Sequence, residues 1–215
     1  MTLENYRIQI REEKSKAALD AAMVLFLAQG YDRTSLVQVA RDASISTGTL
    51  FKHFPTKAAL FGAVIQRLWN ADTEMAKPLP KAGSPKKGLT SLGLEYAEVL
   101  GHKDTLPIFR VIMAEAPRFP ELGEYLFECG KMPFLHRIHL YLNAEIALGT
   151  LAVNDMPLAA SQFLGMINDA IFWPRFFLMS MTVTPDRVKQ VINEAVTTML
   201  HRYGVAAKPL KRIVA

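Results

Sequence analysis

Apolar residues recur every three or four positions along most of the chain, a spacing that predicts amphipathic α-helices. The clearest example runs from Ala18 to Phe26, where the apolar side chains fall on one helical face. Gly30 follows at a place suited to a left-handed helix cap, and Tyr31 can fold back onto the last turn. Sustained two-residue alternation and Asn-Gly hairpin signals are missing, so the sequence predicts an all-α protein.

Helix-start signals predict three further helices in the N-terminal third of the chain. Thr34 or Ser35 can cap a short second helix, because either side chain can accept a hydrogen bond from a free backbone N–H. Ser46 can cap a third helix in the same way. A fourth helix is expected to open at Pro55-Thr56 and to continue to about residue 75.

The composition changes between Lys77 and Gly88, where three prolines, two glycines and four lysines predict an exposed connector. Beyond it, the apolar spacing predicts helices over 89–103, 106–116, 122–148 with an interruption near Pro133, and 157–181 with a kink at Pro174. A last helix is expected to begin at Thr184 and to end at Gly204. The sequence therefore predicts about nine helices.

Length and composition favour a globular protein with a substantial core. The chain has 215 residues, of which 50% are hydrophobic and 21% are charged, and its formal net charge is +5. More than half of this positive excess lies in residues 1–70, which contain nine Lys/Arg and six Asp/Glu. A basic N-terminal third suits a polyanionic partner, although charge alone does not identify one.

Cysteine usage and hydropathy indicate the compartment. Cys129 is the only cysteine, so no disulfide can form within the chain and a reducing compartment is expected. The N-terminus is charged from Glu4 onward and lacks the apolar core of a signal peptide. The most apolar stretch, 170–181, is much shorter than the ~20 residues of a membrane-spanning helix. We expect a soluble, cytoplasmic protein that is associated with the nucleoid.

Residues 34–57, with the sequence TSLVQVARDASISTGTLFKHFPTK, have the pattern of a helix-turn-helix. Ala40 is small where the two helices would cross, Ile45 is apolar in the turn, and Leu50 would anchor the second helix to the first. The exposed face of that second helix would carry short polar groups for base edges and basic groups for phosphates. These residues are Thr47, Gly48, Thr49, Lys52 and His53. Two packed helices without a role in DNA binding would explain a bare pattern of this kind equally well.

Residues 17–61 resemble the TetR/AcrR family of bacterial transcriptional regulators. The residues that carry the resemblance are Phe26, Gly30, Thr34, Ser35, Ala40, Ala43, Ser46, Gly48, Thr49, Leu50, His53, Phe54, Lys57 and Leu60. The resemblance implies that the helix at 47–54, capped by Ser46, enters the major groove of DNA. Thr34 and Ser35 would cap the preceding helix beside the DNA backbone. Lys57 would contact a phosphate at the start of the fourth helix, where the helix dipole also favours an anion.

Two positions within the DNA-binding motif depart from the family pattern. Ser44 lies in the turn where the family usually has glycine, and a positive φ there would cost serine on the order of 1 kcal/mol. Phe51 lies where the family usually has tyrosine, so a hydrogen bond from that ring to a phosphate would be lost. Neither change abolishes the expected DNA binding, but either could weaken it.

The C-terminal half resembles the AefR-like branch of the same family in two segments, 110–127 and 149–166. The resemblance implies a homodimer in which the helices at 157–181 and 184–203 pair across a two-fold axis. It also implies a pocket for a small, lipophilic inducer among the C-terminal helices. The candidate lining residues are Phe109, Arg110, Met113, Glu115, Phe127, Phe163, Ile167 and Trp173.

Helix pattern and resemblance together predict the domain organisation. The expected segments are a three-helix DNA-binding domain at 1–55, a connecting helix at 56–76, a connector at 77–88, a ligand-binding and dimerisation domain at 89–205, and a tail at 206–215. The main hypothesis is a dimeric repressor that binds a palindromic operator and leaves it when a small, largely apolar ligand binds.

Two other classes of function were weighed against this hypothesis. A helical enzyme or carrier is disfavoured, because we find no Ser-His-Asp set, paired carboxylates or cofactor motif. His136 and His139 are three residues apart on a predicted helix, but no suitable third ligand is near them, so neither a metal nor a cofactor is expected. A DNA-binding or partner-gated protein with a vestigial pocket stays open as the third possibility.

Overall fold

The computed structural model of the protein describes residues 3–70 and 78–205. Within these residues there are eleven α-helices and one π-helical turn, and no β-strand. In chain order they are α1 (Leu3–Arg33), α2 (Leu36–Asp42), α3 (Thr47–His53), α4 (Lys57–Asn70), α5 (Pro85–Gly101), α6 (Thr105–Glu115), α7 (Glu121–Tyr125), the π-helical turn (Leu126–Lys131), α8 (Met132–Ala147), α9 (Met156–Ile171), α10 (Trp173–Phe177) and α11 (Pro185–Tyr203). The all-α prediction is confirmed. The count exceeds nine because 122–148 and 157–181 each contain two helices.

Four helices begin at polar N-cap residues, of which Ser35, Ser46 and Thr184 are expected from the sequence. The Ser35 hydroxyl accepts a hydrogen bond from the Gln38 backbone N–H, and the Gln38 side chain accepts one from the Ser35 N–H. Ser46, Asp155 and Thr184 each accept from the backbone N–H three residues further on. These side chains satisfy N–H groups that have no partner inside the first helical turn, which is why the helices start there.

The structure corrects two of the predicted boundaries. Helix α5 begins at Pro85, so the last four residues of the predicted connector are helical. Pro174 marks the end of one helix instead of a kink within a long one: α9 stops at Ile171, and the proline lies in the first turn of α10, where no N–H is required. Residues 178–184 are not helical. The predicted end of the fourth helix near 75 and the tail at 206–215 lie outside the described residues.

The chain divides into two compact units. The first combines Met1–Asp72 with His102–Met132, and the second combines Thr73–Gly101 with Pro133–Ala215. Helices α6 and α7 and the π-helical turn therefore group with the helix-turn-helix, whereas we expected them in a domain at 89–205. In this first unit α6 packs against α1, and α4 packs against α7 and the π-helical turn.

An aromatic cluster joins α1 to α4 in the first unit. Phe26 stacks on Tyr31 with ring centroids 5.7 Å apart, and Phe61 meets both rings edge-on at 5.2 and 5.4 Å. Tyr31 folds back onto α1 as expected, because Gly30 interrupts the helix with φ 84° and ψ 173°. The positive φ was predicted, but this ψ is extended and differs from that of a left-handed cap.

In the second unit, α5, α9 and α11 pack against one another. A Cβ atom at Gly93 of α5 would lie 2.9 Å from Ile192, 3.3 Å from Phe163 and 3.4 Å from Ile167. The absence of a side chain at Gly93 therefore lets α9 and α11 approach α5 closely. Residues from α9 and α11 form the buried core that results.

A buried ion pair links α5 and α8. Arg137 Nη2 donates to Glu95 Oε2 at 3.0 Å, and both side chains are less than 10% exposed. The Ser91 hydroxyl donates to the other Glu95 oxygen at 3.2 Å. Charges that are removed from water are tolerated only with such partners, so this pair constrains the register of α5 against α8.

Arg137→Met should lower the free energy of unfolding by about 3–5 kcal/mol, because the Glu95 carboxylate would stay buried without its cation. The double variant Glu95→Leu/Arg137→Met removes both charges and should recover most of that loss. Urea unfolding of the three proteins measures both effects. A double variant as unstable as Arg137→Met would contradict the role of the uncompensated charge.

Candidate nucleic-acid interface

Helices α2 and α3 form the predicted helix-turn-helix. Ala40 and Leu50 are buried where the two helices meet, and Ile45 is half-buried in the turn between them. Ser44 has φ 54°, so this turn does need the left-handed conformation that favours glycine. Serine therefore carries a conformational cost on the order of 1 kcal/mol at this position, as expected.

The outward face of α3 is exposed and mostly polar. Its exposed members are Thr47, Gly48, Phe51 and Lys52, and its half-buried members are Thr49 and His53. No atom lies within 4 Å of a Cβ built on Gly48, so the surface is open there. Thr49 Oγ1 lies 2.8 Å from Ser46 Oγ, which places its hydroxyl beside the helix cap. The Phe51 side chain is 47% exposed.

Thr34 and Ser35 differ in their access to this surface. Thr34 is only 2% exposed, and its hydroxyl donates to the Gly30 carbonyl at 2.8 Å. Thr34 therefore does not cap α2, and its expected place beside the DNA backbone stays a prediction. Ser35 is exposed and caps α2, so it alone of the two is accessible to a phosphate.

Lys57 binds backbone carbonyls in the last turn of α1. Its Nζ donates to the carbonyls of Tyr31 at 2.8 Å and Asp32 at 2.9 Å, and it lies 4.4 Å from the centre of the Tyr31 ring. Burial lowers the pKa of Lys57, although the Asp32 carboxylate acts in the opposite direction. The two hydrogen bonds of Lys57 thus connect α4 to α1, and the third ammonium proton can donate to a phosphate.

Helix α1 extends to Leu3, well before the apolar face at Ala18 from which we predicted a helix. Its first turns and α3 form the two sides of an open groove of about 440 Å³. The groove is lined by Arg7, Ile10, Arg11, Lys14, Thr49, Lys52 and His53. The resemblance to the TetR/AcrR family begins at residue 17 and implies no role for the α1 cations of this groove. Their spacing of four and three residues is the signal that could have identified a basic helix face.

The cations of this groove act on His53. Partial burial lowers the pKa of His53 below its usual 6.5, and Arg11 and Lys14 lower it further. The unfolded chain therefore binds this proton more tightly, so the folded state loses stability as the pH falls through about 6.5. A phosphate in the groove would raise the pKa again, because a negative charge favours the protonated ring.

Residues at the end of α6 and just after it contact the corner formed by Gly30–Asp32. Glu115 Oε1 accepts a hydrogen bond from the Asp32 N–H at 3.4 Å and lies 2.7 Å from the place of a Cβ on Gly30. Arg118 Nη1 donates to Asp32 Oδ2 at 3.0 Å, and the Phe119 ring packs against Tyr31. We call Glu115, Arg118 and Phe119 the clasp, since they connect the end of α6 to the last residues of α1, just before the helix-turn-helix.

The residues expected to line a ligand pocket are divided between the two units. The first unit contains Phe109, Arg110, Met113, Glu115 and Phe127, and the second contains Phe163, Ile167 and Trp173. Met113 and Phe127 are 58% and 51% exposed, whereas Phe163 and Ile167 are fully buried in the core of the second unit. Glu115 is engaged in the clasp. The pocket assignment stays a prediction.

Within 3–70 and 78–205, no group of three or more His, Cys, Asp or Glu side chains is arranged to hold a metal ion. None of the helices in these ranges has the length and apolar character needed to cross a membrane.

Two family models match the chain. The model described as bacterial regulatory proteins, tetR family, matches residues 18–64. The model described as AefR-like transcriptional repressor, C-terminal domain, matches residues 87–205, which is more than half of the chain. The first turns of α1 precede both matched regions.

Curated relatives are HTH-type regulators. The chain is 26% identical to the uncharacterized HTH-type transcriptional regulator YuxN of Bacillus subtilis over 195 residues, which cover 88% of this chain and 64% of YuxN. It is 32% identical to the HTH-type transcriptional repressor Rv3405c of Mycobacterium tuberculosis over 116 residues, 54% of this chain and 58% of the relative. The chain thus spans less than two thirds of the length of these two proteins.

Solved structures share the fold over most of the chain. The Flavonoid-responsive Regulator FrrA superposes with a TM-score of 0.75 at 27% identity, covering 90% of this chain and 98% of FrrA. A TetR family transcriptional regulator from Pseudomonas syringae pv. tomato superposes with a TM-score of 0.68 at 25% identity, covering 89% and 97% of the two chains.

The titration of His53 tests the geometry of the basic groove. Its midpoint should lie below 6.5 in the unaltered protein and should rise toward that value in Arg11→Gln/Lys14→Gln, because two nearby positive charges are removed. NMR titration of the ring protons, assigned with a His53→Gln variant, measures the shift. Lys86→Gln, an exposed lysine of α5, is the control and should change nothing. An unchanged midpoint in the double variant would show that Arg11 and Lys14 do not lower the pKa of His53.

Proposed function

The chain belongs to the TetR family of bacterial regulatory proteins, and on this basis we propose that it is a sequence-specific DNA-binding regulator that represses transcription from a palindromic operator. The observation that carries the proposal is the exposed polar face of α3, which starts at the Ser46 cap and lies beside the cations of α1. Repression agrees with the description of the matched C-terminal domain as that of an AefR-like transcriptional repressor.

Helix α3 is proposed to read bases in the major groove. Thr47 and Gly48 are exposed in its first turn, and their small size permits a close approach to base edges. Thr49 contributes a hydroxyl in the same turn. The exposed ring of Phe51 can pack against the methyl group of a thymine, so this residue offers an apolar contact in place of the hydrogen bond of the usual tyrosine.

Phosphate contacts are proposed at both ends of the motif. Lys52 and His53 lie in the last turn of α3, and Ser35 is exposed at the start of α2. Lys57 has one ammonium proton beyond its two bonds to backbone carbonyls. Such contacts set the position of the protein on the duplex without reading its sequence.

A palindromic operator requires two copies of the protein, and we propose a homodimer through α9, α10 and α11. An open groove of about 360 Å³ between α9 and α11 supports this interface. Exposed apolar side chains on and after α9 also support it, namely Leu158, Phe177, Leu178, Met179 and Met181. The inward stripe of α11, by contrast, is buried in its own unit, so α11 offers a partner less apolar surface than we expected.

The proposed inducer is a small, largely apolar molecule. Aromatic rings of the second unit form a cluster around α10, in which Trp173 contacts Phe172, Phe176 and Phe177 with centroids 5.2–6.0 Å apart. Rings of this kind suit a planar aromatic ligand. FrrA is described as flavonoid-responsive, so flavonoids are the first compounds to test.

Within the first unit, the clasp supplies a route from α6 toward the helix-turn-helix. A ligand that displaces α6 would act on the corner through Glu115 and Arg118, because both side chains bind Asp32 in the last turn of α1. A shift of the corner would change the position of α3. Two recognition helices of a dimer must lie about 34–36 Å apart to meet successive major grooves, so a shift of several ångströms would release the operator.

Selection from a pool of randomised duplexes tests the DNA-reading function. The unaltered protein should enrich a two-fold symmetric motif, and Thr49→Ala should lose contrast at one position of each half-site, by about 1–3 kcal/mol. Thr90→Ala removes a hydroxyl that bonds a backbone carbonyl in α5 and is the matched control. Failure of the unaltered protein to enrich any motif would refute the proposed function. If Thr49→Ala selected the same motif as the unaltered protein with undiminished contrast, Thr49 would not read a base.

Release by a ligand must be reciprocal: DNA weakens ligand binding by the factor by which the ligand weakens DNA binding. Trp69 of α4 is a suitable reporter, since it is buried and its indole packs against Gly130 in the π-helical turn. A Trp173→Phe variant leaves Trp69 as the only tryptophan. We would titrate a series of flavonoids into this variant, free and bound to the selected duplex. Equal affinities in both titrations would contradict allosteric release and leave DNA reading intact.

A further inference from the structure

The first turns of α1 carry a row of cations that lies outside the residues matched by the DNA-binding family model. Arg7, Arg11 and Lys14 are four and three residues apart, so they lie on one helical face over about 10 Å. Among the residues that the structure describes, no ion pair joins any of the three to a carboxylate. The row is therefore available to an anion from outside the molecule.

The row is continuous with the surface of α3. It lines one groove together with Thr49, Lys52 and His53, and α1 packs directly against α3. Positive charges that share a groove repel one another in the free protein, and a polyanion removes that repulsion. The lowered pKa of His53 has the same origin in part, since Arg11 and Lys14 contribute to it.

We propose that Arg7, Arg11 and Lys14 bind backbone phosphates of the duplex whose bases α3 reads. The proposal rests on the proposed function and extends the DNA-binding surface onto the first turns of α1. A duplex fits better than an anionic membrane, because Ile10 is the one large apolar residue among the described residues that line the groove, whereas a membrane-surface helix buries a wide apolar face. Phosphate contacts do not specify sequence, so this row should strengthen binding to every duplex.

The salt dependence of DNA binding tests the row. We would compare the unaltered protein with Arg7→Gln/Arg11→Gln/Lys14→Gln on two duplexes, the one selected from the randomised pool and a scrambled one of equal length. A dimer that loses six phosphate contacts should show a slope of log affinity against log salt that is smaller by about five, since each phosphate contributes about 0.9. The decrease should be the same on both duplexes, and the selected motif should be unchanged.

Two further variants test whether a change in the slope comes from the loss of net positive charge anywhere on the protein or from a loss of folded protein. Lys81→Gln/Lys86→Gln/Lys87→Gln removes three exposed positive charges from the second unit and should keep the slope within about one of the original. Arg7→Lys/Arg11→Lys/Lys14→Arg preserves the charges and should keep both slope and affinity. Thermal unfolding should be alike in all four proteins, because the substituted side chains lie at the surface.

The outcomes distinguish this proposal from the proposed function. If the unaltered protein enriches a motif and the α1 variant keeps its salt slope, the row does not bind DNA and the regulator proposal stands. If no motif is enriched but the α1 variant has the smaller slope expected on the scrambled duplex, the row binds DNA and the proposed sequence-specific function is wrong. Binding to phosphatidylglycerol vesicles that requires the three residues, with unchanged salt slopes on both duplexes, would overturn the proposal in favour of a membrane.

Discussion

The position of α3 depends on the corner at Gly30, where the chain leaves α1. A φ of 84° is readily available only to glycine, and a Cβ at this residue would lie 2.7 Å from the Glu115 carboxylate. Tyr31 then enters the aromatic cluster of α1 and α4, and Lys57 binds the two carbonyls that follow Gly30. One backbone conformation thus sets the helix-turn-helix against α1 and α4 and also provides the attachment point of α6.

The first unit therefore combines two functions that are often discussed separately. One surface, made by α1 and α3, carries the cations and short polar groups of the proposed DNA-binding site. Contacts made by the clasp connect the last residues of α1 to α6. The clasp and Lys57 of α4 both bind Tyr31–Asp32, so a change in α6 would act directly on the residues from which the chain continues into α2 and α3. This proximity is the physical basis for the proposed release by a ligand.

Features determined by a few neighbouring residues were predictable from the sequence. Ser35 and Ser46 cap the expected helices because their hydroxyls act on backbone N–H groups of the next turn. Contacts between distant segments were not predictable. Lys57 donates to carbonyls of α1, far from it in the sequence. Gly88 is helical and buried against Tyr141, although the prolines and lysines around it are typical of a connector. The first turns of α1 have no apolar stripe, so hydrophobic spacing could not reveal that helix or its basic face.

The central claim is that α3 and the first turns of α1 together form the DNA-binding surface. An experimental structure of the dimer on its selected duplex tests it most directly. We predict α3 in the major groove with Thr47 and Gly48 against base edges, and Arg7, Arg11 and Lys14 within about 3 Å of phosphate oxygens. A duplex held by another surface, with α3 outside the groove, would contradict the account.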